Sequence, residues 1–157
     1  VRTRAKEWGI DPNRVGMLGF SAGGHLTAWT LTNYDQRSYP TVDEADQHSC
    51  RPDFGILIYP AYLVNAEEPT QLNSQLPVTK QTPPCFFVHA FDDRVSPENS
   101  LRMALALKAA GVPTEVHIYS SGGHGFGMRT SDKPVASWPK RCEEWLREQG
   151  WLKARKS

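Results

Sequence analysis

Three residue types that can share out an acyl transfer stand in this 157-residue sequence, each just past an apolar run: Ser21, the pair Asp92-Asp93, and His124. A serine hydroxyl is a weak nucleophile until a base takes its proton. An imidazole can do this and later protonate the leaving group, while a carboxylate fixes the imidazole tautomer and stabilises the imidazolium. Ser21 lies in Gly19-Phe20-Ser21-Ala22-Gly23-Gly24-His25, directly after Arg14-Val15-Gly16-Met17-Leu18. That order reads as a nucleophile elbow: a buried strand, a tight turn with serine at its tip, then a helix. Strand and helix pack closely around such a turn, so its neighbours must be small, a demand met by Gly19, Ala22 and Gly23. The backbone N–H of Ala22, at the start of the helix, then faces an oxyanion forming on a substrate carbonyl. The competing explanation is a glycine-rich strand-to-helix turn without chemistry.

The elements that must position these groups follow from local pattern. Arg2 to Trp8 reads as the end of a helix closed by Gly9, and Asp11-Pro12-Asn13 as a turn. A helix is expected from Ala22 to about Asn33, then a polar loop over 34–52. Asp53 to Tyr59 is a continuous apolar strand of the kind covered on both faces, stopped by Pro60. Residues 60–84 form a proline-punctuated irregular excursion. Cys85 to Ala90 is a third strand. The helix after it is signalled by Ser96 as N-cap, Pro97 at its first position, Leu101, Ala104 and Leu105 on one apolar face, and Gly111 as stop. Thr114 to Tyr119 is a fourth strand, and Ser120 to Gly127 a glycine-rich loop holding His124. The last helix, from about Val135, aligns Val135, Trp138, Cys142, Trp145 and Leu146. The expected fold class is α/β: one domain over 1–157, with a parallel sheet of about four strands covered by helices. In such a sheet the loops after the strand carboxyl ends share one edge, where ligands bind. Ser21, Asp92-Asp93 and His124 all follow strands. Adjacent aspartates point different ways, so one of the two is expected to reach His124.

Composition excludes several classes. A net charge of +1 with 22% charged residues gives no basic field for nucleic acid. The terminal Lys153-Ala154-Arg155-Lys156 reads as a solvated tail. No apolar run reaches the roughly 20 residues a membrane span needs. Three scattered cysteines, Cys50, Cys85 and Cys142, make neither a disulfide framework nor a zinc site, although a Cys50–Cys142 bridge stays open. The compartment, cytoplasmic or secreted, is therefore left open. No metal or cofactor motif is present, so neither is expected. His25, His89 and His117 are expected to be structural, His89 by bonding the loop that presents the aspartates. Phe20 and Phe126 suit either an acyl pocket or the core, and Tyr62 is placed to border the site.

Gly19 to His25, Val88-His89-Ala90-Phe91-Asp92-Asp93-Arg94-Val95-Ser96-Pro97 and Ser121-Gly122-Gly123-His124-Gly125-Phe126-Gly127 together resemble the α/β-hydrolase esterases. More narrowly, they resemble the bacterial group related to acetylxylan and feruloyl esterases and the dienelactone-hydrolase-like clan. The likeness runs across nearly the whole chain. It implies a cofactor-independent serine esterase for short-chain acyl esters, often on plant polysaccharides. It also implies Ser21 as nucleophile, His124 as base and acid, and Asp93 rather than Asp92 as the acid partner. Members of the group carry about four strands before the elbow and an upstream His-Gly-Gly-type loop with the second oxyanion donor. This sequence carries neither, and loss of one such donor typically costs about 100- to 1,000-fold in rate.

The chain is therefore expected to correspond to the C-terminal half of that fold. Its elbow strand, with Val15, Met17 and Leu18, should form an exposed edge that a homodimer or larger assembly covers. Two alternatives remain. One is a catalytically incomplete half-domain acting as an assembly module or fragment; the other is a serine peptidase of the prolyl-oligopeptidase type, which uses the same residue order.

Overall fold

A computed structural model describes residues 1–65 and 67–152. The basic stretch 153–156 lies outside the described residues. The chain opens with a short 3-10 turn, Arg2–Arg4, and helix α1 (Ala5–Trp8), ended by Gly9 at φ 65°. Strands β1 (Met17–Phe20), β2 (Gly55–Ile58), β3 (Cys85–Ala90) and β4 (Thr114–Tyr119) form one parallel sheet in the order β1-β2-β3-β4. Helices α2 (Ala22–Asn33), α3 (Glu98–Ala109) and α4 (Trp138–Glu148) alternate with or follow the strands. The expected four-stranded parallel α/β sheet is therefore present.

Strand alternation sorts the core into two layers. Leu57, Cys85 and Phe87 point to one face and pack with Ala28 and Leu31 of α2 and Met103 and Leu107 of α3. Ile56, Ile58, Phe86 and Val88 point to the other, against Trp138, Cys142 and Trp145 of α4. β2 and β3 are buried at every position, as expected for strands covered on both faces. The long 60–84 segment is pinned at one point by Asn99, whose Oδ1 accepts the N–H groups of Leu63 (2.7 Å) and Val64 (3.2 Å). A partly buried ion pair, Arg2 to Asp53 at 2.9 Å, ties the first turn to the entry of β2.

Several sequence expectations shift: β2 is shorter than the expected Asp53 to Tyr59, and a 3-10 turn, Pro134–Ser137, precedes α4. The first strand begins at Met17, not Arg14, because Met17 N–H is the group that reaches the Phe54 carbonyl, at 3.0 Å. Helix α3 buries Asn99, Ser100, Met103 and Leu107, while Leu101 and Leu105 are 37% and 56% exposed. Its orientation follows the polar contacts of Asn99 and Ser100 rather than the Leu101/Leu105 stripe. The N-cap of α3 is Pro97, one residue past the expected Ser96, whose Oγ nonetheless accepts Glu98 N–H at 3.2 Å. All three cysteines are free, Cys50 exposed and Cys85 and Cys142 buried, so no Cys50–Cys142 bridge forms. β1 is an edge of the sheet, with Leu18 45% exposed, as expected from the resemblance to a fold that carries further strands before the elbow.

Candidate active site

Parallel strands deliver their following loops to one edge. Phe20 is level with Ile58, Ile58 with Val88, and Ala90 with Tyr119, so the turns after all four strands meet there. Ser21 occupies the first turn with φ 53° and ψ −118°, a conformation that costs a non-glycine residue about 1–3 kcal/mol. Both neighbouring elements hold it in place. Its N–H donates to Ile58 O (3.0 Å), and its carbonyl accepts Gly24 N–H (2.9 Å) and Ala61 N–H (3.2 Å). The turn is tight because Gly19 and Gly24 lack side chains. A Cβ on Gly19 would lie 2.0 Å from Gly23 O, and one on Gly24 would lie 2.8 Å from Pro60 Cβ. Gly23 does not fill the packing role expected for it, since a Cβ there meets nothing within 4 Å.

Ser21 Oγ lies 2.9 Å from His124 Nε2, and His124 Nδ1 lies 2.9 Å from each carboxylate oxygen of Asp93. A carboxylate against Nδ1 keeps the proton on that nitrogen, which leaves the Nε2 lone pair facing the serine hydroxyl. The Asp93 side chain is fully buried, and Oδ1 also accepts Val95 N–H at 2.8 Å. Asp92 does not reach the imidazole. Its Oδ1 accepts the N–H groups of Gly122 and Gly123, each at 2.8 Å, and these bonds hold its carboxyl below the usual carboxylate range. Ala22, exposed, heads α2, where first-turn N–H groups have no intrahelical acceptor and face outward.

Below Asp93 sits His89, fully buried, as the strand pattern led us to expect. Ser100 Oγ is 2.9 Å from its Nδ1 and Val95 O is 2.9 Å from its Nε2, so Nε2–H donates to the carbonyl and Ser100 donates to Nδ1. Burial holds the imidazole pKa below its ordinary value, favouring this neutral form. His89 thus ties β3, α3 and the Asp93 loop together. His117 pairs instead with Glu115 at 2.7 Å along β4. His25 packs edge-on to Tyr62 at 6.0 Å between ring centres.

Of the aromatic candidates, Phe20 packs on Tyr59 (5.8 Å) and Trp138 (6.2 Å), and Phe126 on Tyr59 (4.5 Å); both are partly buried against the second core layer. Tyr62 is 67% exposed, at φ 61°. Tyr59, not singled out from the sequence, stands at φ 39° with its ring 4.9 Å from His124. Burial raises the pKa of its hydroxyl. Trp138 Nε1–H donates to Gly127 O at 2.8 Å, a second fastening of the His124 loop. The signal for Tyr59 was a bulky residue at a strand end immediately before proline; that for Trp138 was its place on the apolar stripe of α4. No cluster of metal-ligating side chains occurs among the described residues.

Known proteins resemble this chain over nearly its full length. The sequence profile of the prolyl oligopeptidase family matches residues 2–150. An acetylxylan esterase of Xylanibacter ruminicola is 32% identical, the match covering 98% of this chain and 33% of that protein. The crystal structure of an acetyl ester-xyloside bifunctional hydrolase from Caldicellulosiruptor lactoaceticus superposes with TM-score 0.86 at 37% identity, covering 98% of this chain and 63% of that one. A carboxylesterase from Lactobacillus plantarum superposes with TM-score 0.75 at 28% identity, covering 98% and 65%. The chain therefore spans about a third of the curated esterase and less than two thirds of these solved structures. It belongs to the prolyl oligopeptidase family, and its sheet is part of the α/β-hydrolase fold.

Proposed function

We propose that this chain carries the reacting groups of a serine esterase that hydrolyses short-chain acyl esters, acetyl groups on xylan-type carbohydrates among them. The observation that carries this reading is the unbroken line of contacts from Ser21 Oγ through His124 to Asp93, each 2.9 Å long. Ser21 Oγ attacks the ester carbonyl while its proton passes to His124 Nε2. Asp93 holds the imidazole in the receptive tautomer and stabilises the imidazolium. Ala22 N–H contributes one hydrogen bond to the oxyanion. His124 then protonates the departing alcohol, leaving an acyl-Ser21 that water, activated by the same imidazole, hydrolyses. Phe20 and Phe126 flank the acyl group, and exposed Tyr62 faces the sugar. The esterase names borne by the acetylxylan esterase and the bifunctional hydrolase support an ester over a peptide substrate.

Initial rates on 4-nitrophenyl acetate and butyrate, for wild type and Ser21→Ala, test this reading. Turnover that is lost in Ser21→Ala supports it. Equal, near-background rates in both proteins refute it and favour an incomplete half-domain that serves assembly. Faster cleavage of a proline-containing chromogenic peptide than of either ester points to a peptidase. We also propose that the open edge of β1, with Leu18 exposed, is covered by self-association. Light scattering that shows a dimer or larger assembly supports this, and a monodisperse monomer refutes it.

A further inference from the structure

His124 sits on a loop with unusual backbone freedom: Gly123 and Gly125 adopt φ 64° and 80° on either side of it. Such a segment does not by itself hold an imidazole 2.9 Å from two partners on different elements. Something must fix the loop just before His124. The loop after β3 supplies that contact. Asp92 Oδ1 accepts two consecutive N–H groups, those of Gly122 and Gly123, at 2.8 Å each. The bonds cross from one strand-following loop to the next. Their donors lie one and two residues before the histidine. Side chains of adjacent residues leave the backbone in different directions, so Asp92 grips the loop's backbone while Asp93 grips its imidazole.

We infer that Asp92 is a positioning residue for His124: its carboxylate fixes the turn at Gly122 and Gly123, so that Nδ1 meets Asp93 and Nε2 meets Ser21. It touches no reacting atom. The inference rests on the reading of His124 as the base, and it assigns to the first aspartate a task separate from that of the second. What the task requires is an acceptor oxygen at the Oδ1 position; the negative charge is secondary.

Asp92→Ala removes the acceptor, and Asp92→Asn keeps an oxygen there while removing the charge. On 4-nitrophenyl acetate, Asp92→Ala should lower kcat about 10- to 100-fold with KM within about 2-fold, as expected when a reacting group is misplaced but substrate contacts are kept. Asp92→Asn should recover to within about 3-fold of wild type, because the acceptor is retained. Two readouts are independent of turnover: hydrogen-exchange protection of the Gly122 and Gly123 amides, and the far-downfield proton resonance of His124 Nδ1–H against Asp93. Both should persist in wild type and Asp92→Asn and be lost in Asp92→Ala. Should Asp92→Ala not fold, Asp92→Gln, which overreaches by one methylene, takes its place with the same expected loss. Wild-type kcat in Asp92→Ala, equal losses in Ala and Asn, or an unchanged His124 resonance in Asp92→Ala overturns the inference. If wild type shows no turnover, the esterase reading fails, and the exchange and resonance data alone decide the role of Asp92.

Discussion

Adding a single methyl group at Gly19 tests how the turn at Ser21 is built. In Gly19→Ala the new Cβ falls 2.0 Å from the carbonyl oxygen of Gly23, 2.3 Å from its carbonyl carbon and 2.5 Å from Thr27 Oγ1. Two of these atoms are backbone of the first turn of α2 and cannot rotate away. To restore van der Waals contact, α2 must retreat from β1 by roughly 1 Å, and overpacking of this kind costs about 1–3 kcal/mol. At an m-value of about 2 kcal/mol per M, a 2 kcal/mol loss lowers the urea midpoint by about 1 M. Ser21 bridges the two elements, so the same retreat carries its Oγ off the 2.9 Å contact with His124. A misplacement of about 1 Å costs on the order of 100-fold in rate. Gly23→Ala is the matched control: its Cβ meets nothing within 4 Å, and alanine in a helix is favoured over glycine by up to about 1 kcal/mol. The assay pairs urea unfolding, followed by tryptophan fluorescence, with the second-order rate of Ser21 labelling by a fluorophosphonate. Gly19→Ala should lose on both measures, and Gly23→Ala should be at least as stable as wild type. Wild-type midpoint and labelling in Gly19→Ala, or an equal midpoint loss in Gly23→Ala, refutes this account of the turn.

Further outcomes follow from the same geometry. Asp93→Asn keeps the shape but no longer holds the proton on His124 Nδ1, so kcat should fall by about 10⁴-fold with KM little changed, while an activity loss under tenfold would remove Asp93 from the proposed mechanism. Because burial lowers the His89 pKa below its ordinary 6.5, the unfolded chain takes up a proton as pH falls through that value while the folded chain does not. The stability associated with neutral His89 is therefore full above about pH 6.5 and declines towards its lower folded pKa; His89→Gln should flatten this slope in urea titrations between about pH 5 and 7. Thiol labelling at pH 8 should modify exposed Cys50 quickly, whereas buried Cys85 and Cys142, the latter with its pKa pushed up to about 12, should react only after unfolding.

How far the sequence could be read depended on whether the deciding forces were local. Strands β3 and β4 and helix α2 lie where apolar runs and flanking turn residues place them, because those signals act within a few residues. The stripe Val135, Trp138, Cys142 and Trp145 is buried as its helical spacing requires. The face of α3 was misjudged because two polar residues set it. Asn99 must reach the Leu63 N–H and Ser100 must reach His89, and those long-range contacts turn Leu101 and Leu105 outward. That Ser21 and His124 would come together was legible from motif and order. The choice of Asp93 over Asp92 came from the family resemblance alone, because adjacency shows that two side chains diverge without showing which one meets the imidazole, and the contacts of Asp92 with Gly122 and Gly123 had no signal in the sequence. Tyr59 was hidden for a related reason: its importance comes from a positive φ that swings its ring to His124.

The central claim is that Ser21 is made nucleophilic by His124 held against Asp93. Intact-mass and peptide mapping of the chain after reaction with a fluorophosphonate tests it most directly. The account predicts one adduct per chain, on Ser21, formed by wild type and abolished in both Ser21→Ala and His124→Ala. An adduct elsewhere, or equal labelling of Ser21 in wild type and His124→Ala, would contradict it.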